Sequence, residues 1–131
     1  MEKTVPPKLV QSRQKALRRS LDSEGLDAIL LAGKASINYY SGFTGDESQL
    51  IISRKHAWLL TDFRYQEEAD NSMTACETVI WKESIPATAA KLLAKTGAKR
   101  CGYDEHNLSA WHYECLRTEG KKFKLSAAGR I

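Results

Sequence analysis

The chain has 131 residues, 42% of them apolar and 27% charged, with only 8 Gly and 3 Pro, which excludes disordered, collagen-like and low-complexity classes and describes one ordered domain over residues 1–131. The longest apolar run, residues 28–32, falls far short of the ~20 residues of a membrane helix, and the N-terminus lacks the apolar stretch of a secretory signal. The net charge of +4 is unevenly placed, with six Lys/Arg against one acid in residues 1–20, four Lys/Arg in 121–131, and ten against fifteen acids between them.

Positive charge at the two chain ends reads as solvated termini, because a nucleic-acid surface concentrates its bases on one folded face. Cys76, Cys101 and Cys115 are an odd number without CxxC spacing, which suits reduced thiols. The expectation is a soluble cytoplasmic protein with no nucleic-acid and no membrane partner.

Along the chain, Pro6 and Pro7 lead into a helix in which Leu9, Val10, Ala16, Leu17 and Leu21 recur at roughly helical spacing until Gly25 stops it. Residues 27–32 form a buried strand closed by Gly33, and 34–40 a turn or short helix ending at Ser41-Gly42. Residues 49–53 and 57–61 flank the charged turn Arg54-Lys55-His56 as a hairpin. Residues 65–71 are polar and helical in composition, and 77–81 are β-branched and apolar. Ser84 with Pro86 starts a helix that carries Leu92 and Leu93 inward and ends at Gly97. Residues 100–103 read as a strand, Ser109 as the N-cap of a helix running to Glu119, and 122–126 as a final strand. Six strands alternating with four or five helices predict a three-layer α/β domain, its sheet antiparallel at the hairpin and parallel across helical crossovers.

Motifs for phosphate loops, zinc proteases and nucleophile elbows are missing from the sequence. His56, His106 and His112 fall in a turn, a loop and a helix, without zinc-site spacing. Asp62 and Asp104 each follow a predicted strand, where acids hold a divalent metal when several converge and otherwise cap the next turn.

The informative stretch is residues 36–65. Gly42 and Gly45 let the backbone reverse around Phe43, leaving 44–48 as a loop tip offered to solvent or a partner. Asp62 and Arg64, two apart at a strand end, are placed for a charge-assisted bond that fixes the following segment. As a purely structural corner, the same stretch has Tyr39, Tyr40 and Phe43 as core and Asp62-Arg64 as a brace.

These residues, Asn38-Tyr39-Tyr40-Ser41-Gly42-Phe43-Thr44-Gly45 followed by a hairpin and Leu59-Leu60-Thr61-Asp62-Phe63-Arg64-Tyr65, resemble the N-terminal domain shared by Xaa-Pro dipeptidases (prolidases), aminopeptidase P and creatinase. Residues 17–33 are similar to the family's opening helix and strand, 85–93 to its middle helix, and Cys101-Gly102-Tyr103-Asp104 to a later strand. The likeness covers residues 12–126.

The resemblance implies an α/β/α domain with a mixed sheet of ribonuclease-H-like topology. It also implies a C-terminal pita-bread domain, absent from these residues, in which two divalent metal ions (Mn, Co or Zn) hydrolyse Xaa-Pro bonds. Arg130-Ile131 falls where the family's linking helix begins, so no metal ligand and no catalytic residue is placed here. The N-domain would assist homodimer formation and shape access for Xaa-Pro peptides, with Asp46, Glu47 and Ser48 as rim candidates and Asn38 and Tyr39 second. Ser41, Gly42, Phe43, Asp62, Arg64 and Tyr65 would be the structural motif. Two alternatives stay open: a stand-alone binding or assembly module without peptidase activity, and a ribonuclease-H-like nuclease using Asp62 and Asp104 with magnesium.

Overall fold

The computed structural model describes residues 6–65, 67 and 75–131. The elements, in chain order, are α1 (Pro7–Ser23), β1 (Ala28–Leu31), α2 (Lys34–Ser41), β2 (Gln49–Ser53), β3 (Ala57–Thr61), a 3-10 turn (Phe63–Tyr65), β4 (Glu77–Ile80), α3 (Ile85–Lys95), β5 (Arg100–Tyr103), α4 (Ala110–Glu119) and β6 (Lys124–Ala127). Most of the expected helix over residues 65–71 lies outside the described residues.

The strands form one six-stranded sheet in the order β4-β3-β2-β1-β5-β6. β2 is antiparallel to both β1 and β3, while β1–β5, β3–β4 and β5–β6 are parallel. Every strand except β2 therefore points the same way, and the sheet has one carboxyl edge and one amino edge. β4 ends one residue before the expected Trp81, and β6 begins two residues later than expected, at Lys124.

Side-chain alternation assigns each strand residue to a layer. Ala28, Leu30, Ile51, Trp58 and Leu60 face α3 and α4, packing with Ala89, Ala90, Leu93 and Leu116. Ile29, Leu31, Leu50, Ile52 and Leu59 face α1 and α2, packing with Leu17, Leu21, Ile37 and Phe43. β1, β2 and β3 are buried throughout, as strands covered by helices on both faces must be. The three-layer expectation holds for this reason.

In α1, Val10, Gln14, Leu17 and Leu21 form the buried stripe, whereas Leu9 is 42% exposed. Polar bonds secure that stripe. Gln14 Nε2 donates to the Tyr40 carbonyl at 2.9 Å and to Cys76 Sγ at 3.3 Å. Arg18 Nε donates to the Ser53 carbonyl at 2.7 Å, and partial burial lowers this guanidinium's pKa. Ser84 and Ser109 cap α3 and α4 by accepting the Ala87 and His112 amides at 3.1 Å, the role expected of serine at a helix start.

Gly102 explains the path of the chain after β6. A Cβ there would stand 2.8 Å from Ala128 Cβ and 2.9 Å from Leu26 Cδ1, so its bare backbone lets the segment after β6 cross the α1 side of the sheet.

Candidate functional site

The loop over residues 42–48 joins α2 to β2 at the carboxyl edge. α2 ends because Gly42 takes a left-handed φ of 83°, with its amide bonded to the Asn38 carbonyl at 2.7 Å. Ser41, fully buried, donates its hydroxyl to the Ile37 carbonyl and accepts the Phe43 amide at 3.1 Å. The Phe43 ring is fully buried and meets Tyr65 edge-on at 6.2 Å, a favoured aromatic geometry. Gly45 serves space, not backbone freedom: an added Cβ would lie 2.3 Å from Phe43 Cζ. The left-handed residue of the tip is instead Glu47, at φ 52°.

The rim candidates are only partly brought together. Asp46 forms an exposed ion pair with Lys34 at 3.0 Å, so the Asp46 carboxylate already has a cation that sequence reasoning missed. Ser48 donates to the Gly45 carbonyl at 3.4 Å and Asn38 to the Phe43 carbonyl at 3.5 Å; both shape the loop. Tyr39 is 48% exposed, which corrects its placement in the core. Arg13 stacks on its ring at 4.1 Å and donates to its carbonyl at 2.9 Å. Tyr40 is half-buried against the α1-side core, and burial raises its pKa.

At the end of β3, the Arg64 guanidinium forks onto Asp62, with Nε 3.2 and 3.1 Å from the two oxygens and a terminal nitrogen 2.6 Å from Oδ2. Asp62 Oδ1 also accepts the Arg64 amide at 2.9 Å. Those bonds hold the Asp62 carboxyl below its usual range and raise the Arg64 pKa, to which the Glu47 charge also adds. The brace reading of this pair is therefore the observed one.

Asp104 is also committed locally, accepting the His106 amide at 3.1 Å and the Asn107 side-chain amide. Asn107 packs against Gly33, beside the ends of β1 and β5 where strand order reverses and open α/β sheets take ligands: a Cβ on Gly33 would be 2.7 Å from its Nδ2. Asp62 and Asp104 end strands three positions apart in the sheet, roughly 14 Å at the usual interstrand spacing. Among the described residues no group of three or more His, Cys, Asp or Glu gathers. These donor sets do not fit a metal centre, and the nuclease reading loses its geometric support.

The same edge carries buried polar atoms that sequence reasoning did not find. Gln49 Oε1, Thr61 Oγ1 and Trp81 Nε1, on β2, on β3 and just past the end of β4, have no hydrogen-bond partner among the described residues. Their only signal in the sequence was a polar or indole group at the end of an apolar strand.

The chain matches the creatinase/prolidase N-terminal domain family over residues 13–130. It is 30% identical over 97 residues to the "uncharacterized peptidase YqhT" of Bacillus subtilis (strain 168), covering 74% of this chain and 28% of that protein. It superposes on the Xaa-Pro dipeptidase from Bacillus anthracis with a TM-score of 0.83 and 28% identity, over 90% of this chain and 34% of that one. Against the N-terminal domain of cytoplasmic peptidase PepQ from Mycobacterium tuberculosis H37Rv, the TM-score is 0.82 at 26% identity, over 89% and 92% of the two chains. The chain thus spans about a third or less of the two longer relatives. No described helix is long and apolar enough to cross a membrane. With a family match over nearly its whole length, the chain belongs to the creatinase/prolidase N-terminal domain family.

Proposed function

We propose that this domain is the non-catalytic N-terminal part of an Xaa-Pro peptidase, docking on a C-terminal catalytic domain and shaping peptide access to it. The observation that carries this reading is the likeness to the Bacillus anthracis Xaa-Pro dipeptidase at 28% identity, in which this domain corresponds to 34% of the chain. Hydrolysis would then belong to the remainder, which would hold the divalent metal ions of such an enzyme; their chemistry is activation of water and polarisation of a carbonyl. The residues of this chain contribute shape and charge.

Two features of the carboxyl edge support the docking half. The 42–48 loop rests on a rigid hub of Ser41, Phe43 and Tyr65, which suits a projection that must hold its position against another surface. Beside it stand the orphaned atoms of Gln49, Thr61 and Trp81. A buried polar group left unpaired costs about 1–3 kcal/mol, so an apposed surface or its waters would stabilise this edge. Homodimer formation and cytoplasmic location are part of the same proposal.

The rim half concerns charge. Among the described residues Glu47 has no ion pair, although its charge acts on Arg64, while Lys34 pairs directly with Asp46; Glu47 is therefore the acid we assign to a substrate's free amino group. In a longer enzyme carrying this domain, Glu47→Ala raises KM for Xaa-Pro dipeptides more than Asp46→Ala does, with metal content unchanged. Lys34→Ala, which frees Asp46, lowers KM. Equal kinetics in all three variants would remove the rim role. Hydrolysis of an Xaa-Pro dipeptide by residues 1–131 alone, in manganese buffer, would overturn the non-catalytic reading.

A further inference from the structure

The opposite, amino edge of the sheet overturns the view that positive charge is confined to the chain ends. Because only β2 runs against the other strands, this edge receives the β2–β3 turn, the end of α3 and the starts of β5 and β6. It therefore collects Arg54, Lys55, Lys95, Lys99, Lys121 and Lys122, from three separate places in the sequence, together with the acids Asp22, Asp27 and Glu77. Backbone contacts join the starts of β1, β5 and β6 at this edge: the Asp27 amide donates to the Arg100 carbonyl and the Lys124 amide to the Lys99 carbonyl, each at 2.8 Å.

Within this edge lies a cleft of about 290 Å³ lined by Asp27, residues 53–56 at the end of β2 and its turn, and residues 95–98 at the end of α3 and just beyond. Its walls are fixed. Ser53 Oγ accepts the His56 amide at 3.1 Å, and the His56 ring stacks on Trp58 at 4.6 Å and 10°. On the other wall, Thr96 donates its hydroxyl to the Leu93 carbonyl at 2.6 Å and accepts the Ala98 amide at 3.0 Å.

The charge of the cleft is unbalanced. The acid that lines it, Asp27, is already engaged: Oδ2 accepts the Lys99 and Arg100 amides at 3.0 Å each, and Oδ1 lies 3.6 Å from Arg54. Arg54 is held from a second side by Asp22 at 3.5 Å. Lys55 and Lys95 have no ion pair among the described residues. The carboxyl end of α3 opposes an anion here, but its last carbonyls are bonded by Thr96 and Gly97, and Lys95 sits in its last turn.

We infer that this cleft binds a small, multiply charged oxyanion of the phosphate or diphosphate class, with Lys55 and Lys95 closing on it from the two walls and Arg54 held beside them. Lysine ammonium groups on mobile stems suit such a ligand as point charges. This site is separate from the carboxyl-edge loop, so it stands or falls independently of the peptidase reading.

The test titrates the purified chain with sodium pyrophosphate at 50 mM salt, followed by calorimetry and by the fluorescence of Trp58 beneath His56. Saturable 1:1 binding is expected, weakened at least tenfold by the double variant Lys55→Ala/Lys95→Ala. A control variant with the same charge change on α1, Lys8→Ala/Lys15→Ala, should bind within twofold of wild type. Circular dichroism verifies the fold of both variants, whose lysines hold no ion pair among the described residues. Absence of saturation up to 10 mM, or equal weakening by the control, overturns the site. A parallel titration with a 12-base-pair DNA duplex separates the other source of phosphate: tight duplex binding without pyrophosphate binding overturns the small-anion assignment.

Discussion

Asp62 and Arg64, two residues apart at the carboxyl end of β3, are joined by a forked ion pair and by the Arg64 amide on the same carboxylate. The pair fixes the turn that brings Tyr65 against Phe43. It also gives the fold an acid dependence with a definite sign. The Arg64 hydrogen bonds lower the Asp62 pKa in the folded chain, so folding gains from the ionised form above the unfolded value, about 3.9, and loses that gain as pH falls through the folded value. Urea midpoints measured at pH 7 and pH 3 should differ less for Asp62→Asn than for wild type. An identical difference in both proteins would remove Asp62 from the acid response.

Space at Gly45 is the second expectation. Gly45→Ala drives a methyl into the buried Phe43 ring and is expected to destabilise the chain by about 1–3 kcal/mol, the usual cost of overpacking. Glu47→Gly relieves a left-handed residue and is expected to stabilise by roughly 0.5–1 kcal/mol, since that conformation costs a non-glycine residue about 1–2 kcal/mol and glycine returns part of the gain as chain entropy. Denaturant unfolding of the two variants should move in opposite directions. Movement in the same direction refutes this account of the loop.

Burial pushes the Cys76 thiol up to about 11 and the Cys101 thiol up to about 12. Both are raised above their ordinary value of 9.0, so the stability they contribute is complete below pH 9 and declines as pH rises toward 11 and 12. At pH 8 the native chain should leave Cys101, which is fully buried, unreacted with an aromatic disulfide reagent, and 6 M guanidinium should release it, while half-buried Cys76 reacts more slowly natively than unfolded. Rapid native modification of Cys101, located by peptide mass mapping, would contradict its burial.

Elements whose apolar pattern is local are legible in the sequence. The hairpin strands, β5 and α4 lie where their residues placed them, because short apolar runs and the Ser109 cap act within a few positions. Leu9 shows where that reading fails: a helix stripe one residue out of phase looks equally apolar in sequence, and packing chose Val10, Gln14, Leu17 and Leu21. Gln14 was invisible as a core residue because its partners, Tyr40 and Cys76, are 26 and 62 positions away. In the candidate site, the Ser41-Gly42-Phe43 corner and the Asp62–Arg64 brace were legible, being contacts between near neighbours. The Lys34–Asp46 pair was not, since its 12-residue separation closes only when α2 folds back.

Residue order alone determined the alternating α/β plan, the aromatic corner and the family, because each rests on periodicity or on spacing within a short segment. Tertiary structure alone decided which carboxylates have partners, that Asp62 and Asp104 stay apart, and that lysines from three distant segments share one edge. The physical reason is strand direction: with β2 alone reversed, the sheet sorts the connections of the whole chain onto two opposite rims, and no local pattern records on which rim a charge will stand.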